Sequence, residues 1–231
     1  MKVLIIIPAY NEEKSIERVV DNIIDNYPQY DYVVINDGSK DNTAKICRER
    51  GYEFLDLPIN LGLSGAFQTG MRYADKKEFD CAIQLDGDGQ HDPFYIAQML
   101  ECLSKGDADI VIGSRFFDKG KRSFSLRTIG SYILRICIKL TTGASIYDPT
   151  SGMRLYGKRA IREFAYNMNY TPEPDTISFL IRCGIRVKEV QVEMSERLEG
   201  ESYLNLQAAM KYMLHMCTSI LLIQTFRKRG K

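Results

Sequence analysis

Two aspartates separated by one glycine, Asp86-Gly87-Asp88, close a short apolar run, and Gln90 follows two residues later. Carboxylates paired in this way suit a hard divalent cation. Mg2+ or Mn2+ takes one or two of them and completes its shell with phosphate oxygens and water. The chemistry implied is the holding of a metal diphosphate, with Asp86, Asp88 and Gln90 as candidate ligands and Gly87 allowing close approach to the backbone. The same letters also write an ordinary solvated turn, so the pattern alone decides little. A calcium loop of the EF-hand type is excluded, because its fifth and sixth positions need Asp or Asn and Gly, and Gln90 and His91 stand there. His91, just before Asp92-Pro93, reads as the approach to a helix rather than as a ligand.

These residues need a scaffold. Short apolar runs at 3–7, 32–35, 53–57, 81–85 and 110–112 alternate with amphipathic stretches at 15–24 and 43–50. That rhythm predicts an α/β fold with a mainly parallel sheet flanked by helices. Ligands on such sheets bind beyond the carboxyl ends of the strands. The unusual polar segments fall there: Pro8-Ala9-Tyr10-Asn11-Glu12-Glu13 after the first strand, Asn36-Asp37-Gly38-Ser39 after the second, and Asp86 to Gln90 after the fourth. Ser39, Asp41 and Asn42 read as a capped helix start. Asp37, at a strand tip, can accept hydrogen bonds from a ribose or a base.

The 231 residues fit one large domain with appendages. Lys and Arg number 31 against 30 acids, which gives no case for a nucleic-acid partner. The six cysteines form no C-x-x-C pair and read as reduced thiols of a cytoplasmic protein. The five apolar residues at 3–7 are too few for a signal-peptide core. The segment 207–226 carries one charged residue, Lys211, and runs into Arg227-Lys228-Arg229-Gly230-Lys231. It is too interrupted by polar groups to span a bilayer. It fits an amphipathic helix lying at the inner face of a membrane, or one packing its Met210, Met213, Leu214, Cys217 and Leu221 stripe on the domain or on a second copy of the chain in a homodimer.

Several of these segments together resemble family 2 glycosyltransferases. They are residues 6–13, 36–43 and 85–90 with Asn60-Leu61-Gly62 and Gly113-Ser114-Arg115, in order and spacing. The likeness sharpens toward polyprenyl-phosphate glycosyltransferases through Arg127 with Ser131 four residues on, Asp148-Pro149-Thr150-Ser151-Gly152-Met153-Arg154, and Arg197-Leu198-Glu199-Gly200-Glu201-Ser202. The resemblance implies a GT-A type, Rossmann-like sheet and an inverting displacement. The expected organisation is a GT-A domain over 1–204, with a nucleotide-sugar half (1–113) and an acceptor side (114–204), followed by the amphipathic helix and basic tail (205–231).

By that resemblance Pro8, Tyr10, Glu12, Ile35 and Asp37 hold the nucleoside of a UDP- or GDP-sugar. Asp86, Gly87, Asp88 and Gln90 hold the metal and diphosphate, and Arg197 and Tyr203 face the donor. Arg115, Arg127 and Ser131 contact the acceptor phosphate, so Asp88, Arg115 and Arg127 are the expected catalytic residues. Guanidinium groups suit that task because they grip phosphate through paired, charge-assisted hydrogen bonds. Tyr203 departs from the group's usual lysine, and a tyrosine cannot neutralise diphosphate charge.

The acceptor can be a polyprenyl phosphate, already anionic at neutral pH, or a glycan hydroxyl, which needs a general base. Glu173 and Asp175 are the candidates for that base, although Pro172-Glu173-Pro174-Asp175 reads first as a helix start with acids suited to its dipole. A sugar-phosphate nucleotidyltransferase is disfavoured, because the segment after the first strand has no glycine. The presence of Asp86, Asp88, Arg115 and Arg127 argues against a non-catalytic nucleotide-sugar-binding protein, an alternative whose best support is Tyr203.

Overall fold

Apolar runs too short for helices and rich in Val and Ile become strands of one sheet. They are β1 (Val3–Ala9), β2 (Asp31–Asn36), β3 (Phe54–Asp56), β4 (Cys81–Gln84), β5 (Ile110–Ser114), β6 (Arg154–Gly157) and β7 (Val187–Gln191). The structure is a computed structural model, and it describes residues 1–85, 92–117, 126–167, 171–193 and 206–227. The strand order is β3-β2-β1-β4-β6-β5-β7. Only β6 runs against its neighbours, pairing antiparallel with β4 and β5. The carboxyl ends of β1, β2, β4 and β5 therefore share one edge.

Helices cover both faces: α1 (Ile16–Asn26), α2 (Thr43–Glu49), α3 (Gly62–Lys76), α4 (Ile96–Ser104), α5 (Leu126–Thr142), α6 (Lys158–Arg162), α7 (Pro174–Arg182) and α8 (Leu206–Thr218). Successive strand residues point to opposite faces, so β1 feeds two cores. Val3, Ile5 and Ile7 meet Ile16 and Val20 of α1 and Met99 of α4. Leu4 and Ile6 belong to the other core with Phe67 of α3, Leu134 of α5 and Leu180 of α7. Burying each such side chain stabilises the fold by about 1.5–3 kcal/mol. Phe67, Tyr156 and Phe164 anchor the second core, with ring centroids 5.0 to 5.3 Å apart.

At the opposite edge of the sheet, Asp109 ties β5 to the start of β7. Its carboxylate accepts from the Arg186 backbone N–H (2.9 Å), Nε (3.1 Å) and Nη2 (2.9 Å). The Arg186 hydrogen bonds hold the Asp109 carboxyl below its ordinary range. A depressed folded pKa gives stability that is present above the unfolded value, about 3.9, and lost as pH falls through the folded one. Asp109→Asn is therefore expected to lower the urea midpoint at pH 7, with the gap from the native chain narrowing progressively as pH falls below about 3.9.

The C-terminal segment joins the domain rather than standing off it. Helix α8 continues through a π-helical turn, Ser219–Ile223, into a last turn at Gln224–Phe226. Met216 and Ile220 enter the core beside α5 and α7, with Met213 and Cys217 packed against it. Of the stripe expected to pack, Met210, Leu214 and Leu221 instead face outward. The cause is angular: Met216 and Ile220 lie one turn apart on the inner face, while Met210 and Leu214 lie about 120° and about 160° around the helix from Met216. The acids expected at a helix start are there, Glu173 at the N-cap of α7 and Asp175 in its first turn.

Candidate active site

The first two strand ends are stitched together by their loops. The Asp37 N–H donates to the Ala9 carbonyl (2.8 Å). Asn11 N–H donates to the Ser39 hydroxyl (2.9 Å), Lys40 N–H to Asn11 Oδ1 (2.9 Å), and Glu12 N–H to Thr43 Oγ1 (2.9 Å). Asp41 closes the first turn of α2, accepting from the Thr43 N–H (3.0 Å) and hydroxyl (2.6 Å). The capped helix start is thus made by Asp41, while Asn42 reaches back to Glu13. Asn11 is held at φ 57° by this web, and Tyr10 is left exposed at the rim.

Asp37 is 3% exposed, and its Oδ1 accepts from the Leu61 N–H at 2.7 Å. It fixes the 59–61 turn against the strand end. Pro8 and Glu12 lie on the same edge, with the Glu12 carboxylate accepting from the Ser15 hydroxyl. Ile35 is different. Its side chain is fully buried in the core on the α3 side, so it serves as floor and does not offer that side chain to a nucleoside.

Strand β4 lies beside β1, and the Leu85 N–H donates to the Ile6 carbonyl (3.0 Å). The chain therefore leaves this edge next to Pro8 and Tyr10 as it enters Asp86-Gly87-Asp88-Gly89-Gln90. Those five residues, His91, Arg197 and Tyr203 lie outside the described residues. A set of two carboxylates and an amide is chemically suited to Mg2+ or Mn2+. Among the described residues no cluster of His, Cys, Asp and Glu could hold a metal. Six free cysteines supply no rival centre, and burial pushes the thiols of Cys47 and Cys81 up to about 11 and about 12.

On the acceptor side, Arg115 follows β5 and meets Asp148. Arg115 Nε donates to Asp148 Oδ2 (2.7 Å) and Nη2 to Oδ1 (2.8 Å), and the Arg115 N–H donates to Oδ2 (3.0 Å). Thr150 Oγ1 also receives Nη2 at 2.9 Å. The Asp148 side chain is 0% exposed and that of Arg115 is 18% exposed. A two-point pairing fixes the guanidinium plane. Ser131, in the second turn of α5, donates to the Tyr147 carbonyl at 3.3 Å. Arg127 falls in the first turn of α5, and its side chain lies outside the described residues.

Three residues without an expected role hold this corner. Arg154, 1% exposed, donates to the carbonyls of Ser151 (2.8 Å), Pro149 (2.8 Å) and Pro172. Thr150 buttresses the Arg115–Asp148 pair. Glu189 of β7 accepts from the N–H groups of Tyr147 (2.7 Å) and Asp148 (2.8 Å). Glu173 and Asp175 are engaged elsewhere, on the C-terminal segment. The Tyr212 hydroxyl donates to Glu173 at 2.5 Å, and Asp175 accepts from Ser219 (2.7 Å) and Gln224 (3.2 Å). Burial first, and then the Glu173 charge, raises the Tyr212 pKa, so Tyr212 remains a hydrogen-bond donor.

A mainly parallel seven-stranded sheet with polar loops at one edge and a single reversed strand is the GT-A glycosyltransferase fold. A mannosyltransferase from Pyrobaculum calidifontis, solved with GDP-Man and Mn2+, superposes with a TM-score of 0.70 at 17% identity, over 99% of this chain and 66% of that one. The chain itself belongs to glycosyl transferase family 2, whose family model matches residues 4–164. It is a glycosyltransferase. An undecaprenyl-phosphate mannosyltransferase from Micrococcus luteus is 30% identical over 213 residues, 87% of each chain. A UDP-N-acetylglucosamine–dolichyl-phosphate N-acetylglucosaminyltransferase from Methanococcus voltae is 32% identical over 181 residues, 69% of this chain and 71% of that one.

Proposed function

We propose that this enzyme moves a sugar, with inversion, from a UDP- or GDP-sugar to a polyprenyl phosphate at a membrane surface, using a divalent metal. The observation that carries the reading is the sharing of one helix. Helix α5 opens with Arg127 and Ser131, and Ser131 donates to the carbonyl of Tyr147, the residue before the Asp148 that pairs with Arg115. The outer face of the helix is an exposed apolar strip of Ile129, Ile133, Ile136 and Leu140. An anionic headgroup and its prenyl tail need those two environments side by side.

Asp37, Pro8, Tyr10 and Glu12 hold and orient the nucleoside at the first two strand ends. A divalent ion held by Asp86, Asp88 and Gln90 supplies positive charge for the departing nucleoside diphosphate. Arg197 adds a grip on the same diphosphate. Arg115, Arg127 and Ser131 align the acceptor phosphate, whose oxygen attacks the anomeric carbon from the face opposite the leaving group. That oxygen is already anionic at neutral pH, so no base is required. The engagement of Glu173 and Asp175 by the C-terminal helix supports this acceptor over a glycan hydroxyl, because neither carboxylate is turned to a substrate. The named relatives support lipid phosphate as well, while their mannose and N-acetylglucosamine leave the sugar to the pocket's shape.

The outward faces of α5 and the C-terminal segment flank their common seam and form one apolar plate, with Leu140 75% and Leu214 71% exposed. Arg135, Lys139, Lys211 and Arg227 border it, and neither helix carries an acid. No helix among the described residues is long and apolar enough to cross a membrane. An apolar plate on two helices that carry basic residues and no acids complements anionic lipid headgroups. Pairing with a second copy would set like charges against each other, which argues against the homodimer. The double variant Leu140→Asp, Leu214→Asp is expected to cut binding to phosphatidylglycerol vesicles at least tenfold in a flotation assay. Unchanged flotation would reject the membrane assignment, and a shift in sedimentation from dimer to monomer would select self-association instead.

The central test incubates the purified protein and Mn2+ with a panel of UDP- and GDP-sugars and undecaprenyl phosphate. Sugar is expected in the organic phase with one donor, Asp88→Ala is expected to abolish it, and Glu173→Gln is expected to retain at least half the rate. No lipid product across the panel would sink the reading, and transfer to a saccharide that Glu173→Gln abolishes would establish the hydroxyl acceptor.

A further inference from the structure

The dipeptide Tyr147-Asp148 is where the acceptor-side contacts converge. Its two N–H groups end on the two carboxylate oxygens of Glu189, Tyr147 on Oε2 and Asp148 on Oε1. Its Tyr147 carbonyl receives the Ser131 hydroxyl, and its Asp148 carboxylate grips Arg115. The Arg135 guanidinium lies 3.8 Å from the Tyr147 ring centroid, which pins the side chain as well. Glu189 itself is 9% exposed in the middle of β7, registered opposite Ile112 of β5, two residues short of Ser114.

A buried carboxylate is a costly way to hold a loop. Burial pushes the Glu189 carboxyl up, and the Tyr147 and Asp148 amides and the Ser114 hydroxyl pull it back. The nearby Asp148 charge adds to the cost, since like charges disfavour ionisation. A neutral side chain could cap one amide without that expense. What a carboxylate adds is two fixed acceptors on one planar group, which sets the angle between two successive peptide units. That angle decides where the Asp148 carboxylate points, and so the plane of the Arg115 guanidinium. It also sets the direction of the Tyr147 carbonyl, and so the rotamer of Ser131.

We propose that Glu189 is a positioning residue of the acceptor-phosphate site, orienting Arg115 through Asp148 and Ser131 through the Tyr147 carbonyl. The assignment rests on the reading of Arg115 and Ser131 as ligands of the acceptor phosphate. Glu189 touches no substrate, and its effect falls on the acceptor while sparing the nucleoside and metal residues, which lie on or just after β1, β2 and β4.

The test compares the native enzyme with Glu189→Gln and Glu189→Ala. Michaelis constants for farnesyl phosphate and for the sugar donor are measured, together with hydrogen exchange of the Arg115 Nε–H by 15N NMR. Glu189→Ala is expected to raise the farnesyl phosphate KM about tenfold, with the donor KM within twofold of native. Glu189→Gln should fall between, because its amide oxygen keeps one of the two peptide N–H groups. Arg115 Nε–H should exchange faster in the order native, Gln, Ala. Equal rises in both Michaelis constants, or an unchanged acceptor KM, would overturn the proposal as a merely structural role. If the native enzyme transfers nothing to farnesyl or undecaprenyl phosphate, the acceptor reading fails by itself. The exchange measurement then still decides: protection unchanged in both variants overturns the role of Glu189 in orienting Arg115, and protection lost in the expected order sustains it.

Discussion

Asp148→Asn is expected to lower transfer to a polyprenyl phosphate by roughly 100-fold while leaving nucleotide affinity within about threefold of native. The asparagine keeps the size of the side chain and removes the charge. Arg115 then loses the anionic partner that fixes its plane at 2.7 and 2.8 Å. Truncating one member of a buried, hydrogen-bonded charge pair costs about 2–5 kcal/mol, and about 1.4 kcal/mol corresponds to tenfold in rate. Arg115 is 18% exposed, so the lower half of that range applies, and it is shared between stability and turnover. Initial rates at varied donor and varied acceptor separate the two substrates. A loss that appears equally in the donor KM would show that the pair supports the whole sheet edge and does not act on the acceptor.

Gly38→Ala should strike the donor side with comparable force. Gly38 has φ +64°, and a methyl group there would lie 2.6 Å from the Ile59 carbonyl carbon and 2.7 Å from the Asn60 nitrogen. Both are backbone atoms of the turn whose Leu61 N–H caps Asp37, so no side chain can rotate away to make room. The left-handed conformation costs about 1–2 kcal/mol for a residue with a Cβ, and displacing the turn costs about as much again. A stability loss of about 2–4 kcal/mol and a drop of tenfold or more in UDP or GDP affinity with Mn2+ are expected. Gly51, at φ +67° with nothing within 4 Å of its would-be Cβ, is the control. Gly51→Ala should show only the conformational cost and no change in nucleotide affinity. Equal effects from the two substitutions would mean that the contact with the 59–61 turn is unimportant.

Much of the donor half is legible in the sequence, because its strands are runs of Val and Ile and its loops are punctuated by Gly, Asp and Asn. The acceptor half is harder to read. Strand β6 begins with an arginine, which single-sequence reasoning places at the surface, yet Arg154 is buried by three backbone carbonyls. Strand β7, Val187–Gln191, alternates charged and apolar residues as an exposed edge strand would. Nothing in Val-Lys-Glu-Val-Gln shows that the glutamate turns inward to cap two peptide groups. Helix α5 begins at Leu126, six residues before the apolar stretch that announces it, because Gly130 and Ser131 weaken the helical signal there. Met, Leu and Ile occur nearly all round the C-terminal helix, so its sequence does not mark which face is buried. Asp37 lies just past the end of β2, Arg115 just past the end of β5 and Ser131 in α5, and their roles toward substrates are proposals. The assignments of Asp86, Asp88, Gln90, Arg127, Arg197 and Tyr203 remain proposals for mutagenesis.

The hydrogen bonds from Tyr212 to Glu173 and from Ser219 and Gln224 to Asp175 join the C-terminal helix to the start of α7, and Arg154 links Pro172 to the loop beside Arg115. The apolar plate and the loop beside Arg115 are thereby linked through the start of α7. If the plate binds a membrane as proposed, a lipid acceptor would be selected by altitude: the plate would set how high the proposed phosphate-gripping residues ride above the hydrocarbon, and any prenyl chain long enough to anchor its phosphate at that level would satisfy the requirement. Discrimination among longer prenyl tails should accordingly be slight, and the enzyme would act as a depth gauge and not as a ruler.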